Sequence, residues 1–236
     1  MSGAYDEWFA SAARQRAADG LTRRLRHRDH DERLIDVASN DYLGLARDPR
    51  ITEAASAAAR RWGAGSTGSR LVTGSTSIHR DLEDALTEFV GGEAALVFSS
   101  GYAANLGVIS ALGGPDVLVV SDEDNHASIV DACRLARCRV VVAPHRDIAA
   151  VDQALATRRE ARAIVAVDAV FSTDGALADV AALFDVCRAR DAILVLDEAH
   201  SVGVIGTGGR GLAAAAGLEG ESDLVRTVTL SKALGS

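Results

Sequence analysis

Lys232, in Leu230-Ser231-Lys232-Ala233, is the one lysine among the 25 basic residues of this chain. Arginine supplies charge and ion pairs as well as lysine does, but not a primary amine that can lose its proton. A lone lysine beyond an apolar run therefore points to amine chemistry, such as a Schiff base with a carbonyl. Other reactive side chains follow apolar runs in the same way. Ala94–Phe98 leads into Ser99-Ser100-Gly101-Tyr102, a small-residue turn before a helical pattern. Such a turn suits a phosphate, although an ordinary strand-to-helix turn has the same composition. Val117–Val120 leads to His126 beside Asp122, Glu123 and Asp124. That histidine reads as a helix cap, a base or a metal ligand. Ala163–Val167 runs on to Phe171-Ser172-Thr173-Asp174-Gly175, and Ile193–Leu196 ends in Asp197-Glu198-Ala199-His200.

The letters Asp197-Glu198-Ala199-His200 also match a helicase-type Walker B box. The companion P-loop needs a lysine after its second glycine, and the glycine-rich Gly63–Arg70 has none. Nucleotide hydrolysis of that kind is excluded. Asp197 and His200 could reach one metal ion, but no paired-cysteine or H-E-x-x-H spacing completes a set, so no metal is expected. A carboxylate, two histidines, a phosphate-type turn and one amine do suit pyridoxal 5'-phosphate (PLP). Its aldehyde takes a lysine, its phosphate an anchor, and its pyridine nitrogen an acid that keeps it protonated.

The elements that must position these residues alternate. Strand patterns at Ala94–Phe98, Val117–Val120, Arg139–Val142, Ala163–Val167, Ile193–Leu196 and Leu224–Leu230 are separated by helical patterns at Ala103–Leu112, Ala127–Arg137, Ile148–Arg158 and Val180–Arg190. Near-continuous Val, Ile, Leu and Ala strands are buried on both faces, and the alternation predicts an α/β fold with a mostly parallel sheet. Ligands of such sheets sit at the carboxyl ends of the strands. Upstream, the spacing predicts helices over Tyr5–Arg26, Ile51–Trp62 and Ser77–Val90. It also predicts a charged turn over His27–Arg33, a short strand over Leu34–Ala38 and a glycine-rich connection over Gly63–Ser75. Two parts are expected: residues 1–50, a helix and short strand, and residues 51–236, the sheet domain.

Composition narrows the classes further. With 48% hydrophobic and 25% charged residues in 236, the chain is globular. A net charge of −8 with no basic block gives nucleic acid no electrostatic footprint. No apolar stretch reaches the roughly 20 residues a membrane helix needs. The N-terminus has no signal-peptide pattern, and the odd set Cys133, Cys138 and Cys187 reads as reduced thiols, so a cytoplasmic protein is expected.

Seven segments together resemble the α-oxoamine synthases, which are fold-type-I PLP enzymes. They are SNDYLGL (Ser39–Leu45), GAGSTGSRLVTG (Gly63–Gly74), FSSGYAAN (Phe98–Asn105), DNHAS (Asp124–Ser128), VFSTDG (Val170–Gly175), LVLDEAHSVGVIGTGGRG (Leu194–Gly211) and TLSKALGS (Thr229–Ser236). They span nearly the whole chain in the family's order. Within the family, the GSRLVTG stretch and the N-terminal Arg-Ala-Ala-Asp-Gly-Leu region look most like members that join L-alanine to a pimeloyl thioester in biotin synthesis. Sister enzymes that use glycine or serine with another acyl-CoA share most of these motifs. A non-catalytic PLP-binding fragment is a further alternative.

The resemblance implies a role for each matching position. Lys232 would carry PLP and act as general base. Asp197 would pair with the pyridinium nitrogen, and His200 would contact the phenolic oxygen. His126 would stack on the ring and orient substrate. Gly101 and Tyr102 would meet the cofactor at a helix start, with Ser172 and Thr229 bonding its ring oxygen or phosphate. Asn40 would line the substrate side across a dimer interface, and Arg23 would meet the acyl substrate. The resemblance also implies a homodimer with shared active sites and a C-terminal small domain beyond Ser236.

Overall fold

Runs such as Val117-Leu118-Val119-Val120 leave no polar face for water, so their strands can only be stable between two helical layers. A computed structural model of the chain, describing residues 3–29 and 35–236, shows that arrangement. Among the described residues one five-stranded sheet forms, ordered β2-β1-β3-β4-β5 and parallel throughout. Its strands are β1 (Val117–Asp122), β2 (Arg139–Ala143), β3 (Arg162–Asp168), β4 (Ala192–Asp197) and β5 (Leu224–Thr227). The helices are α1 (Ala4–Ala18), α2 (Pro49–Trp62), α3 (Ser77–Val90), α4 (Gly101–Leu112), α5 (Ala127–Leu135), α6 (Ile148–Ala156), α7 (Val180–Ala189) and the single turn α8 (Leu212–Ala215).

Alternate strand residues feed two cores. Leu118, Val120, Val165, Val167, Leu194 and Leu196 pack with α6 and α7 through Val151, Leu155, Leu183 and Phe184. Val117, Val119, Ile164, Ala166 and Val195 face the other way, against Ile109 of α4 and Ile129 and Ala132 of α5. From β1 the chain steps outward to β2, then crosses back to β3. The strand order therefore reverses between β1 and β3, where ligand crevices open in such sheets.

Two compact units are present, Met1–Ala38 and Ser39–Ser236. In the first, α1 is shorter than the apolar spacing suggests. Gly20 takes a positive φ, Gly20 N–H donates to Ala17 O, and Leu21 N–H donates to Arg16 O; this closes the helix after Ala18. No residue of α1 is buried. The strand expected over Leu34–Ala38 does not form among its described residues, 35–38; Leu34, like residues 30–33 of the charged turn, lies outside them.

In the second unit, Ala94–Phe98 belongs to no strand. Side chains take the backbone groups of Val97 instead. Val97 N–H donates to Glu83 Oε1 at 2.8 Å, and Arg70 donates to Val97 O at 3.1 Å. The last strand stops at Thr227 rather than Leu230, because its neighbour β4 ends at Asp197 and offers no further ladder. The glycine-rich connection contains a π-helical turn, Arg70–Gly74. Among the described residues no helix is long and apolar enough to cross a membrane.

Candidate active site

The carboxyl ends of β3, β4 and β5 bring Asp168, Asp197 and the turn after Thr227 together. Lys232 lies in that turn, closed by Gly235 N–H to Lys232 O and Ser236 N–H to Leu230 O. Two glycines allow close approach there. A Cβ on Gly203 would lie 2.5 Å from Ala233 Cβ, and one on Gly235 would lie 2.5 Å from Ala46 N; both glycines have positive φ. The Lys232 turn thus nests between the loop after β4 and the segment after Tyr42.

Lys232 Nζ is 2.7 Å from His200 Nε2, and His200 Nδ1 is 2.7 Å from the Tyr42 hydroxyl. Tyr42 in turn donates to Asn40 Oδ1 at 3.1 Å. One proton arrangement satisfies the whole chain: Lys232 donates to His200 Nε2, His200 Nδ1–H donates to Tyr42, and Tyr42 O–H donates to Asn40. Burial lowers the pKa of His200, and the Lys232 charge lowers it further, which favours the neutral ring this arrangement needs. Burial also lowers the Lys232 pKa, opposed by the carboxylates of Asp197 and Asp168. Asn40 joins the site within one chain.

Asp197 is buried and held on both oxygens. Asn105 Nδ2 donates to Oδ2 at 2.6 Å and Ala199 N–H to Oδ1 at 2.9 Å. Asn105 also donates to Ser128 Oγ at 2.8 Å and accepts from Thr227 Oγ1 at 2.8 Å. Ser128 Oγ lies 2.7 Å from His126 Nδ1, and Ser128 N–H donates to the same nitrogen. His126 therefore caps α5 through Nδ1, and its imidazole is linked to Asp197 through Ser128 and Asn105.

The remaining expected residues are placed unevenly. Gly101 opens α4 after Ser100, whose Oγ accepts from Ala103 N–H. A Cβ on Gly101 would touch Thr229 Cβ at an ordinary 3.5 Å, so this helix start stands beside the Lys232 turn. Open N–H groups at such a start suit a phosphate. Thr229 Oγ1 is 2.8 Å from Ser231 Oγ. Tyr102 is exposed and donates to Asp131 Oδ2 at 2.6 Å, which raises the phenol's pKa. Ser172 is exposed in the loop bridged by Val170 and Leu177. Arg23 is exposed in the first unit, beyond α1.

Sequence reasoning gave no role to Asn105, Ser128, Thr227, Tyr42 or Asp168. Asn105 carried a signal: it is the one amide in the otherwise small and apolar helix GYAANLGVISAL. Glu198, beside Asp197, serves the fold. It is buried, paired with Arg226 and accepts from Ser201 Oγ and Ala213 N–H. Arg226 also donates to the carbonyls of Val90 and Arg210, tying the end of α3 and the loop after β4 to β5.

A half-buried amine, a buried carboxylate and a phosphate-type helix start at the carboxyl end of the sheet fit an aldehyde-bearing heteroaromatic phosphate such as PLP. Comparison with known proteins points the same way. The chain is 59% identical over 229 residues to the 8-amino-7-oxononanoate synthase of Mycobacterium sp. (strain JLS), covering 97% of this chain and 60% of that protein. It thus spans about 60% of the length of the curated relatives it matches. Among solved structures, a Sphingomonas wittichii serine palmitoyltransferase superposes with a TM-score of 0.80 at 38% identity, covering 84% of this chain and 50% of that one. A serine palmitoyltransferase variant from S. paucimobilis with a bound PLP-myriocin aldimine gives a TM-score of 0.79 at 35% identity with the same coverage. The α/β architecture is the expected fold-type-I one, with helices on both faces of the parallel sheet. The family model for aminotransferase class I and II matches residues 32–236, most of the chain, and the chain belongs to that family.

Proposed function

We propose that the chain carries the cofactor-binding region of a PLP-dependent acyltransferase that condenses L-alanine with a pimeloyl thioester. The products are 8-amino-7-oxononanoate, carbon dioxide and free thiol, in biotin biosynthesis. The observation that carries this reading is the half-buried amine of Lys232, 2.7 Å from His200, at the carboxyl end of the sheet where Asp197 is buried. The names of the relatives supply the substrates.

When bound, PLP supplies an electron sink for the carbanion left as the amino acid loses its α proton. The chain's residues do the rest. Lys232 would hold the cofactor through its amine, and the same amine, when free, would take that proton; its lowered pKa suits a base. Asp197, fixed by Asn105 and Ala199, keeps the pyridine nitrogen protonated. His200 would contact the phenolic oxygen, and His126 would stack on the ring. Gly101, Tyr102, Ser172 and Thr229 hold the cofactor's oxygens and phosphate. Asn40 and His126 meet the substrate. For Arg23 the resemblance alone supports a contact with the acyl chain. In this reading residues 51–236 are the large domain, the protein is a cytoplasmic homodimer with shared sites, and residues 1–50 are an N-terminal arm.

Full-length protein incubated with PLP, pimeloyl-CoA and each of alanine, glycine and serine, with products identified by mass, tests the proposal. 8-Amino-7-oxononanoate from alanine is expected. Product from glycine or serine only would transfer the assignment to a sister enzyme.

A further inference from the structure

One buried carboxyl at the site has no part in the scheme above. Asp168 ends β3 directly opposite Asp197, the end of β4, in the parallel ladder. The side chains of residues paired in this way share one face of the sheet. It is the face of Ile164, Ala166 and Val195, covered by α4 and α5. Asp168 is 4% exposed and Asp197 8%. Two carboxylates this close and this buried do not both ionise readily. Burial and the neighbouring Asp197 push the Asp168 carboxyl up to about 7.

What Asp168 holds is specific. Its Oδ2 accepts the peptide N–H of His126 at 2.9 Å, and its own N–H donates to Asn125 Oδ1 at 3.0 Å. Asn125 is fixed in turn by donating to Ser121 Oγ and Ala166 O. The start of α5 is therefore tied to the end of β3 from both sides. The His126 imidazole is held separately, through Ser128. Without the Asp168 acceptor, the ring would keep its Ser128 bond and Asn125 its ties to β3, but the His126 peptide itself would lose its own anchor to the strand that flanks Asp197.

We infer that Asp168 is a positioning residue for the proposed reaction: its carboxyl anchors the His126 peptide to the end of β3 and so sets where the His126 ring stands relative to Lys232 and Asp197. The inference rests on the proposed function.

The test compares Asp168→Ala, which removes the acceptor, with Asp168→Asn, which keeps an acceptor oxygen. Both are measured in full-length, PLP-loaded protein. One readout is the visible circular dichroism of the bound cofactor, which follows the asymmetry of its packing. The other is the split between kcat and the KM for alanine. Asp168→Ala is expected to load PLP on Lys232 with parent stoichiometry, to lose much of the visible signal, and to lower kcat by about 10- to 100-fold. Asp168→Asn is expected to recover the signal and stay within about threefold of the parent. Asp168→Leu, of similar shape and without an acceptor, replaces Asp168→Ala if the alanine variant does not fold. An unchanged signal and kcat in Asp168→Ala, or equal impairment in Asp168→Asn, overturns the inference and leaves the proposed function standing. A parent protein that takes no PLP on Lys232 overturns both.

Discussion

The amine of Lys232 and Nε2 of His200 stand 2.7 Å apart, at the head of a chain of hydrogen bonds that runs through Tyr42 to Asn40. Borohydride reduction of PLP-loaded protein is expected to fix the cofactor on Lys232. Because the chain has no other lysine, peptide mass mapping reads the site directly. Lys232→Arg and Lys232→Ala should lose both the adduct and turnover, since neither side chain offers a free amine. An adduct confined to the α-amino group would sink the assignment.

Tyr42 decides which nitrogen of His200 carries the proton. In Tyr42→Phe, His200 Nδ1–H has no acceptor there, and the tautomer that leaves Nε2 as acceptor loses its support. A hydrogen bond of this kind contributes about 0.5–1.5 kcal/mol. Turnover is therefore expected to fall roughly 2- to 10-fold, with PLP stoichiometry unchanged. Steady-state kinetics with alanine varied checks this; parent-like kcat would remove Tyr42 from the site.

Asp197→Asn keeps the shape of the carboxylate and removes its charge. Loss of a charge contact at the reacting group is expected to cost about 3–4 kcal/mol, roughly 10²–10³ in rate. Asn105→Ala should fall between this variant and the parent, because it removes only the donor to Asp197 Oδ2. Near-normal turnover of Asp197→Asn with confirmed PLP occupancy would refute the pairing.

Stability should depend on Arg226 more than on any exposed arginine. Its side chain is 9% exposed and its partner Glu198 fully buried. Arg226→Met leaves a buried carboxylate uncompensated, at a cost of about 3–5 kcal/mol. Urea denaturation measures it, and adding Glu198→Gln should recover part of the loss. A change below 1 kcal/mol would mean that the pair behaves as a surface ion pair.

The loops after β1, β2 and β3 meet at His145. Its Nδ1 is 3.0 Å from Asp122 Oδ1 and 3.7 Å from Asp124, its Nε2 is 3.7 Å from Asp174, and its ring meets Phe171 edge-on. The hydrogen bond to Asp122 raises the His145 pKa above its ordinary 6.5, with Asp124 and Asp174 adding to the effect. A cation favoured in the fold stabilises it fully below the unfolded pKa, and the gain is lost as pH rises through the folded one. Thermal midpoints from pH 5 to 9 should fall over that window, and less steeply in His145→Gln. Parallel curves for the two proteins would show that His145 does not titrate in this way.

The sequence by itself determined the layers and the chemistry at the strand ends. Near-continuous hydrophobic strands, separated by helical patterns, admit little besides a parallel sheet between helices. Every strand expected from Val117 onward forms, the last of them ending at Thr227 rather than Leu230. The lone lysine and the Asp197–His200 tetrad were legible for a similar reason: their residue types carry reactivity that neighbouring alanines, valines and arginines do not. Local pattern misled at Ala94–Phe98. The composition suits a strand, but strand formation requires a neighbour, and Arg70 and Glu83 take the backbone groups of Val97 instead.

Only the tertiary structure decided which polar residues share the site. Asn105 lies 92 residues from Asp197, Tyr42 lies 158 from His200, and Asp168 lies 42 from His126. No periodicity in the sequence links such pairs, because what joins them is the order and register of the strands. Asp168 and Asp197 became neighbours when β3 paired with β4 in a register that ends both strands on a carboxylate. Nothing local to Asp168 shows that the next strand places a second acid beside it. The raised pKa of Asp168 is likewise a product of burial and proximity, which the fold creates and the residue type alone does not carry.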